Sequence, residues 1–265
     1  ISMKISAYII AFNEADKIRD CINSILWADE IIVADSNSTD GTTEIAESLG
    51  AKVVHIEFNG YGDLRNQAIS HCTGDWIFSL DSDERCSEEV RDEILALISH
   101  TKLDIFLIPR KNYFMGKWIK HSGWYPNYRQ PQLFRSGKMS YDSELVHEGY
   151  ISFSDMKNGA IRNAIWQFPF KNTEEIIYKA NRYSTLGVKK LIDKGKKGSV
   201  SKAFLHGIWA FIKHYIFKFG FLDGGAGFVI AFGNFEGTFY RYIKLTEKQS
   251  KWKMPTSKPI YKKNK

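Results

Sequence analysis

Asp81, Asp83 and Glu84 put three carboxylates into four positions, directly after the apolar run Trp76–Leu80. Clustered carboxylate oxygens suit a hard divalent cation. A buried strand that delivers them at its C-terminal end fits the crevice where open α/β sheets bind ligands. The same acids could simply open the next helix, whose N-terminal dipole favours negative charge. Roughly one Asp-x-Asp is expected by chance in a chain this long, so its surroundings must give it meaning. A second dense group of ionisable side chains is Tyr141-Asp142-Ser143-Glu144-Leu145-Val146-His147-Glu148-Gly149. Tyr113, Trp118, Trp124 and Tyr125 offer ring faces that suit a sugar or a base, or that fill a core.

Periodicity predicts the elements that must position these groups. Ile5–Ala11 reads as a first central strand ending in Phe12-Asn13-Glu14, and Ile18, Ile22, Ile25 and Leu26 mark one face of a helix. Further strands are predicted at Glu30–Ala34, Lys52–Ile56 and Trp76–Leu80. Helices are predicted at Thr42–Leu49, closed by Gly50, at Asp63–Cys72, and through Val90, Ile94, Leu97 and Ile98 behind an N-cap at Ser87. Four strand–helix alternations predict an α/β fold with a mostly parallel sheet and helices on both faces. Neither Gly-x-Gly-x-x-Gly nor a P-loop occurs, so anion binding falls to polar loops and helix N-termini such as Asp35–Thr42.

Beyond Asp104 the rhythm changes. Ile105–Pro109, Gln132–Arg135 and Ala160–Trp166 read as strands, and Thr173–Asp193 as a helix followed by the basic turn Lys194–Gly198. Phe204, Ile208, Phe211, Ile212, Tyr215 and Phe219 then form an apolar stripe among Lys202, Lys213, His214 and Lys218. Phe228–Phe235 is apolar again, and eight lysines lie from Lys244 to Lys265. An aromatic, basic amphipathic segment with a polybasic tail reads as a monotopic membrane anchor. The alternative is a stripe packed on the catalytic domain.

The 265 residues suffice for one large domain plus an extension. A net charge of +7 and a pI near 9.1 call for an anionic partner: nucleic acid, nucleotide phosphates or an acidic membrane. Because the lysines concentrate beside a hydrophobic stripe, lipid suits them better than nucleic acid. Three cysteines without zinc spacing predict reduced, buried thiols in a cytosolic protein. No secretory pattern opens the chain, and no apolar run reaches the roughly 18 residues of a membrane span.

Four blocks in order resemble glycosyltransferase family 2, the inverting GT-A enzymes that use nucleotide-diphospho-sugars. They are Ile9–Glu14, Asp35–Thr42, Arg65-Asn66-Gln67-Ala68, and Gly74-Asp75 through Asp81-Ser82-Asp83-Glu84. Val146-His147-Glu148 and Gly220-Phe221-Leu222-Asp223-Gly224 to Gly227 look like the branch that glucosylates the lipopolysaccharide inner core from UDP-glucose. The resemblance implies a GT-A domain over 1–170, with a nucleotide half at 1–100 and an acceptor half at 101–170, and a helical, basic extension over 171–265. It implies that Ala11, Phe12, Asn13, Glu14, Asp35, Arg65, Asp81 and Ser82 bind the donor. Asp83 would ligate Mg²⁺ or Mn²⁺, and Glu148 would be the base, with Glu144 and Asp142 behind it. His147 would touch metal or phosphate or be structural, and Glu84 would open a helix or stand behind the metal. The expected partners are a UDP-sugar, a lipid-linked saccharide and an anionic membrane, not nucleic acid. The expected location is peripheral, on the inner face of the cytoplasmic membrane. A nucleotidyltransferase and a nucleic-acid binder are the rival readings; the first would normally carry a Gly-rich, basic signature where Phe12-Asn13-Glu14-Ala15 stands.

Overall fold

The computed structural model describes residues 3–128, 131–142, 149–153 and 158–250. Two compact units divide the chain, Ile1–Pro169 and Phe170–Lys265.

In the first unit the chain runs β1 (Ile5–Ala11), α1 (Ala15–Asn23), β2 (Glu30–Asp35), α2 (Thr42–Ser48), β3 (Lys52–His55), α3 (Tyr61–Ser70) and β4 (Trp76–Asp81). It continues through β5 (Glu84–Arg85), α4 (Glu88–Ile98), β6 (Ile105–Leu107), β7 (Arg110–Phe114), β8 (Lys117–Trp118), β9 (Pro131–Arg135), β10 (Met139–Tyr141), β11 (Tyr150–Ser152), β12 (Gly159–Ala160) and β13 (Ile165–Gln167). The main sheet has the order β12-β6-β9-β4-β1-β2-β3. β4, β1, β2 and β3 pair in parallel, and β9 runs antiparallel between β4 and β6. A smaller sheet, β5-β13-β7-β8, lies beside it.

β1 and β4 are apolar on both faces because helices cover both sides, as buried parallel strands require. Ile9, Phe78 and Leu80 pack with Ile18, Ile22, Val90 and Ile94 on one side. Tyr8, Ile32 and Ile77 pack with Leu64 and Ala68 on the other. Ser87 caps α4 by accepting the Val90 N–H, and Gly50 closes the turn after α2 at φ +84°. Gly74 has a packing reason for being glycine: a Cβ there would stand 2.6 Å from the Ser6 backbone nitrogen.

Ala160–Trp166 is not one strand. Glu93 accepts hydrogen bonds from the backbone N–H groups of Arg162 and Asn163, at 2.8 and 2.9 Å, and fixes a turn. The two halves, β12 and β13, join different sheets.

The second unit is helical: α5 (Thr173–Asp193), α6 (Val200–Ile212), a π turn (Lys213–Phe217), a 3₁₀ turn (Gly220–Asp223) and α7 (Gly224–Ser250). Its seam differs from the predicted stripe. Small residues Ala203 and Gly207 are the buried positions of α6, with the Phe235 ring against Gly207, whereas Phe204 and Ile208 of the stripe are exposed. Lys244, counted above with the basic tail, points inward instead. Its ammonium donates to Asn181 Oδ1, Ser184 Oγ and Thr185 Oγ1 at 2.6 to 2.8 Å and ties α7 to α5.

Candidate active site

Strand register assembles the crevice. Ala11 lies opposite Asp35 and Ile10 opposite Asp81, so the C-terminal ends of β1, β2 and β4 meet at one edge. The loops after β1 and β2 grip one another. Asn13 N–H donates to Ser38 Oγ and Thr39 N–H to Asn13 Oδ1, each at 2.8 Å, and Glu14 N–H donates to Thr42 Oγ1. Asn13 and Asn37 turn at φ +54° and +64°. This left-handed region suits Gly and Asn, the type found at both positions. Phe12 projects from the rim, 61% exposed.

Asp35 is fully buried; its Oδ2 accepts from Ser38 N–H at 2.9 Å. Its Oδ1 and the neighbouring Ser36 Oγ have no hydrogen-bond partner. Buried polar atoms left this way cost free energy, and a ligand carrying N–H or O–H groups would satisfy them.

Arg65 and Asp81, predicted from separate blocks, meet as an ion pair at 2.7 Å. The guanidinium is buried, donates also to Ser79 Oγ at 3.3 Å and stacks over the Tyr141 ring. Arg65 therefore braces Asp81 from beneath. Ser82 is buried, and Asp83 is half-buried with its Oδ1 accepting from Gln167 Nε2 at 3.3 Å.

Glu84 neither opens a helix nor faces the crevice, because α4 starts only at Glu88. It is fully buried, ion-paired with Arg110, and its Oε2 accepts from Gln132 Nε2 at 2.8 Å and from Asp81 N–H at 3.0 Å. Burial pushes its carboxyl up to about 7, with Arg110 pulling the other way. Glu84 in turn raises Arg110. Three converging donors favour the ionised pair, and we assign it so. Arg85 completes the turn by donating to the Ser82 and Glu84 carbonyls at 2.9 and 2.7 Å. The structure thus adds Arg85, Arg110, Gln132 and Gln167 to the site. All but Arg85 lie too far along the chain for spacing to reveal them.

The donor set fits a divalent cation only in part. Among the described residues no three His, Cys, Asp or Glu side chains stand close enough to hold a metal alone. Hard-cation coordination accepts one protein carboxylate when ligand phosphates and water supply the rest, and the half-buried Asp83 carboxylate could be that one. Glu148, Glu144 and His147 lie outside the described residues. Asp142, at the edge of that segment, donates its N–H to the Gly149 carbonyl. The predicted ring platform is partly internal: Tyr113 stacks on Phe168, Trp124 tilts on Phe114, and Trp118 meets Tyr125 edge-on.

Asp40 and Glu30 anchor the scaffold. Burial pushes both carboxyls up, but bonds from Thr42 and Ala15 to Asp40, and from Ser6 and Thr73 to Glu30, outweigh it and hold both low. A carboxylate depressed in the fold contributes stability that is lost as pH falls through its folded value. Asp40→Asn with Glu30→Gln should therefore flatten the acid limb of a stability-versus-pH curve below about pH 4. An unchanged limb in chemical denaturation would reject both anchors.

A parallel sheet with one antiparallel strand inserted, and an Asp-x-Asp turn at the end of its central strand, defines a GT-A-type glycosyltransferase fold with a C-terminal helical extension. The chain belongs to glycosyl transferase family 2, whose pattern matches residues 6–156. It is 34% identical to an uncharacterized glycosyltransferase of Rickettsia bellii, over 93% of this chain and 87% of that one. It is 28% identical to the lipopolysaccharide core biosynthesis glycosyltransferase LpsC of Rhizobium meliloti, over 87% and 90%. Among solved structures, Staphylococcus aureus TarS 1-349 in complex with UDP-GlcNAc is similar in fold, with a TM-score of 0.50 at 16% identity over 94% of this chain and 92% of that one.

Proposed function

We propose that the chain transfers a sugar from a UDP-sugar, with inversion, to a lipid-linked saccharide of the cell surface. One observation carries this reading: the Asp81–Asp83 turn, braced by Arg65 and Glu84, shares its strand-end crevice with the unpaired Asp35 Oδ1 and Ser36 Oγ. The orphan acceptors suit the N–H and O–H groups of a nucleoside, and the half-buried Asp83 suits a cation on a diphosphate.

In this reading Asp35 and Ser36 orient the nucleoside, the Asn13–Thr39 clasp shapes the loop beside it, and Asp81 meets the ribose or sugar. Asp83 would hold Mg²⁺ or Mn²⁺, which supplies charge neutralisation of the departing diphosphate. The acceptor oxygen bonds to the anomeric carbon as the bond from that carbon to the phosphate oxygen breaks. The electron pair leaves with UDP, and the hydroxyl proton goes to Glu148, the base that the family resemblance supplies.

Glucose from UDP-glucose onto the lipopolysaccharide inner core is the narrower form, and similarity to LpsC supports only its lipopolysaccharide-core part. A poly(ribitol-phosphate) β-N-acetylglucosaminyltransferase, TarS, is also 31% identical over 41% of this chain. A family 2 transferase for a surface glycan covers both relatives and is the better-supported form. The aromatic, basic segment from Val200 onward and the lysines that follow it support a station at the anionic inner face of the cytoplasmic membrane.

A donor screen tests it: UDP release from UDP-glucose and related donors, against GDP release from GDP-sugars, with and without metal and detergent-solubilised core lipid. UDP release that needs both metal and acceptor is expected, whereas pyrophosphate release from UTP and a sugar phosphate would mean a nucleotidyltransferase. Glu148→Gln should lose at least tenfold, since a general base contributes about 10²–10⁴; a smaller loss moves the role elsewhere.

A further inference from the structure

Between α6 and α7 the chain bends by 70° through the π turn and the 3₁₀ turn. No single described helix is long and apolar enough to cross a bilayer; only this bent pair passes on length and composition. The outside of the bend is built from large apolar side chains: Ile216, Phe217, Phe219, Phe221 and Leu222 are 48, 62, 55, 45 and 58% exposed. A contiguous cluster of that kind marks an interaction surface rather than ordinary exposure.

Two details separate it from an unfinished core. Phe219 sits in the left-handed region at φ +55°, ψ 30°, where a bulky L residue is disfavoured and glycine would serve at lower cost. An aromatic ring is thus held outward against local backbone preference. The bend is also braced from behind: Asp223 is buried, and a Cβ on Gly227 would stand 1.8 Å from the Gly220 carbonyl oxygen, so only glycine permits this contact. The rings project from a fixed frame.

Charge identifies what covers them. From Val200 to Phe235 the chain carries three lysines, Lys202, Lys213 and Lys218, and one acid, the buried Asp223. Lys213 and Lys218 flank the apolar tip, and exposed Trp209 packs against Phe217 with ring centroids 5.7 Å apart. Apolar tip, neighbouring indole and flanking ammonium groups match the layers of a membrane interface from acyl chains to anionic headgroups.

We propose that residues 216–222 insert as a wedge into one leaflet of an anionic membrane, with Lys213 and Lys218 on lipid phosphates. This deepens the membrane-surface part of the reading above by narrowing attachment from the whole aromatic, basic segment and its tail to the bend. The wedge stays in one leaflet, as interfacial segments do.

Flotation of the full chain with phosphatidylcholine vesicles, with and without phosphatidylglycerol, tests it. Phe217→Ser with Phe221→Ser should lower partitioning about tenfold or more on both. Lys213→Gln with Lys218→Gln should remove only the preference for the anionic vesicles. UDP release with metal and detergent-solubilised core lipid, read in parallel on the same protein preparations, should be unchanged, so a failed wedge and a failed enzyme are told apart. If the double serine variant floats like wild type and high salt strips both, the tail carries the attachment and the wedge is wrong. If wild type is a dimer that this variant splits with vesicle binding unchanged, a second copy covers the bend and the wedge is again wrong. Leu222→Cys carrying an environment-sensitive dye keeps the test open should the variant fail to fold: a blue shift on vesicles is expected, and none overturns the proposal.

Discussion

Asp83→Ala should lower metal-dependent sugar transfer about 10³-fold and leave the fold intact. A cation acting on a leaving diphosphate is worth several kcal/mol, and each ~1.36 kcal/mol is a factor of ten in rate. The fold should tolerate the change because Asp83 is half-buried and its bond from Gln167 is long, at 3.3 Å. Asp83→Asn keeps the size and an acceptor for Gln167 but loses the charge, and should fall nearly as far. The measurement is kcat against Mg²⁺ and Mn²⁺ concentration beside a thermal melt. Full turnover by Asp83→Ala at saturating acceptor would remove it from the metal site.

The second large effect is on stability. Arg110→Met should cost about 3–5 kcal/mol, because it strands the fully buried Glu84 carboxylate. For a unit of this size that corresponds to a melting temperature lower by about 10 °C. Adding Glu84→Leu removes the stranded charge and should restore most of the loss, since buried pairs replaced by apolar groups are often neutral. Activity should not return with it. Glu84 Oε2 accepts the Asp81 N–H, and without that bond the turn carrying Asp81 and Asp83 is no longer held. A double variant that recovers both stability and kcat would reduce the network to a packing role.

The strand–helix alternation of the first 100 residues was legible because each element's apolar face repeats with its own period. Ile5–Ala11 and Thr173–Asp193 match their predicted bounds. Candidate site residues were legible where they lie in short blocks, as at Asp81-Ser82-Asp83, which the structure sets at the end of β4. What holds the blocks was not. Arg110 lies 26 residues from Glu84 and Gln167 lies 84 from Asp83, and only the tertiary fold joins them. The pairing of Arg65 with Asp81 was hidden for the same reason, although both residues were singled out. The Ala160–Trp166 break was missed because the side chain that fixes it, Glu93, sits on α4. Lys244 misled because composition reads a lysine near a basic tail as solvated, whereas local hydroxyls and an amide oxygen capture it.

The antiparallel insertion of β9 also carries a consequence for biosynthesis. Trp76 pairs with Arg135 and Phe78 with Leu133, so one flank of β4 stays open until a segment more than fifty residues downstream has left the ribosome. An open flank on an apolar strand is a template for pairing with another chain, and pairing across such a separation is slow. The Asp81–Asp83 turn therefore sits at the end of a strand whose flank is exposed to wrong pairing until β9 emerges.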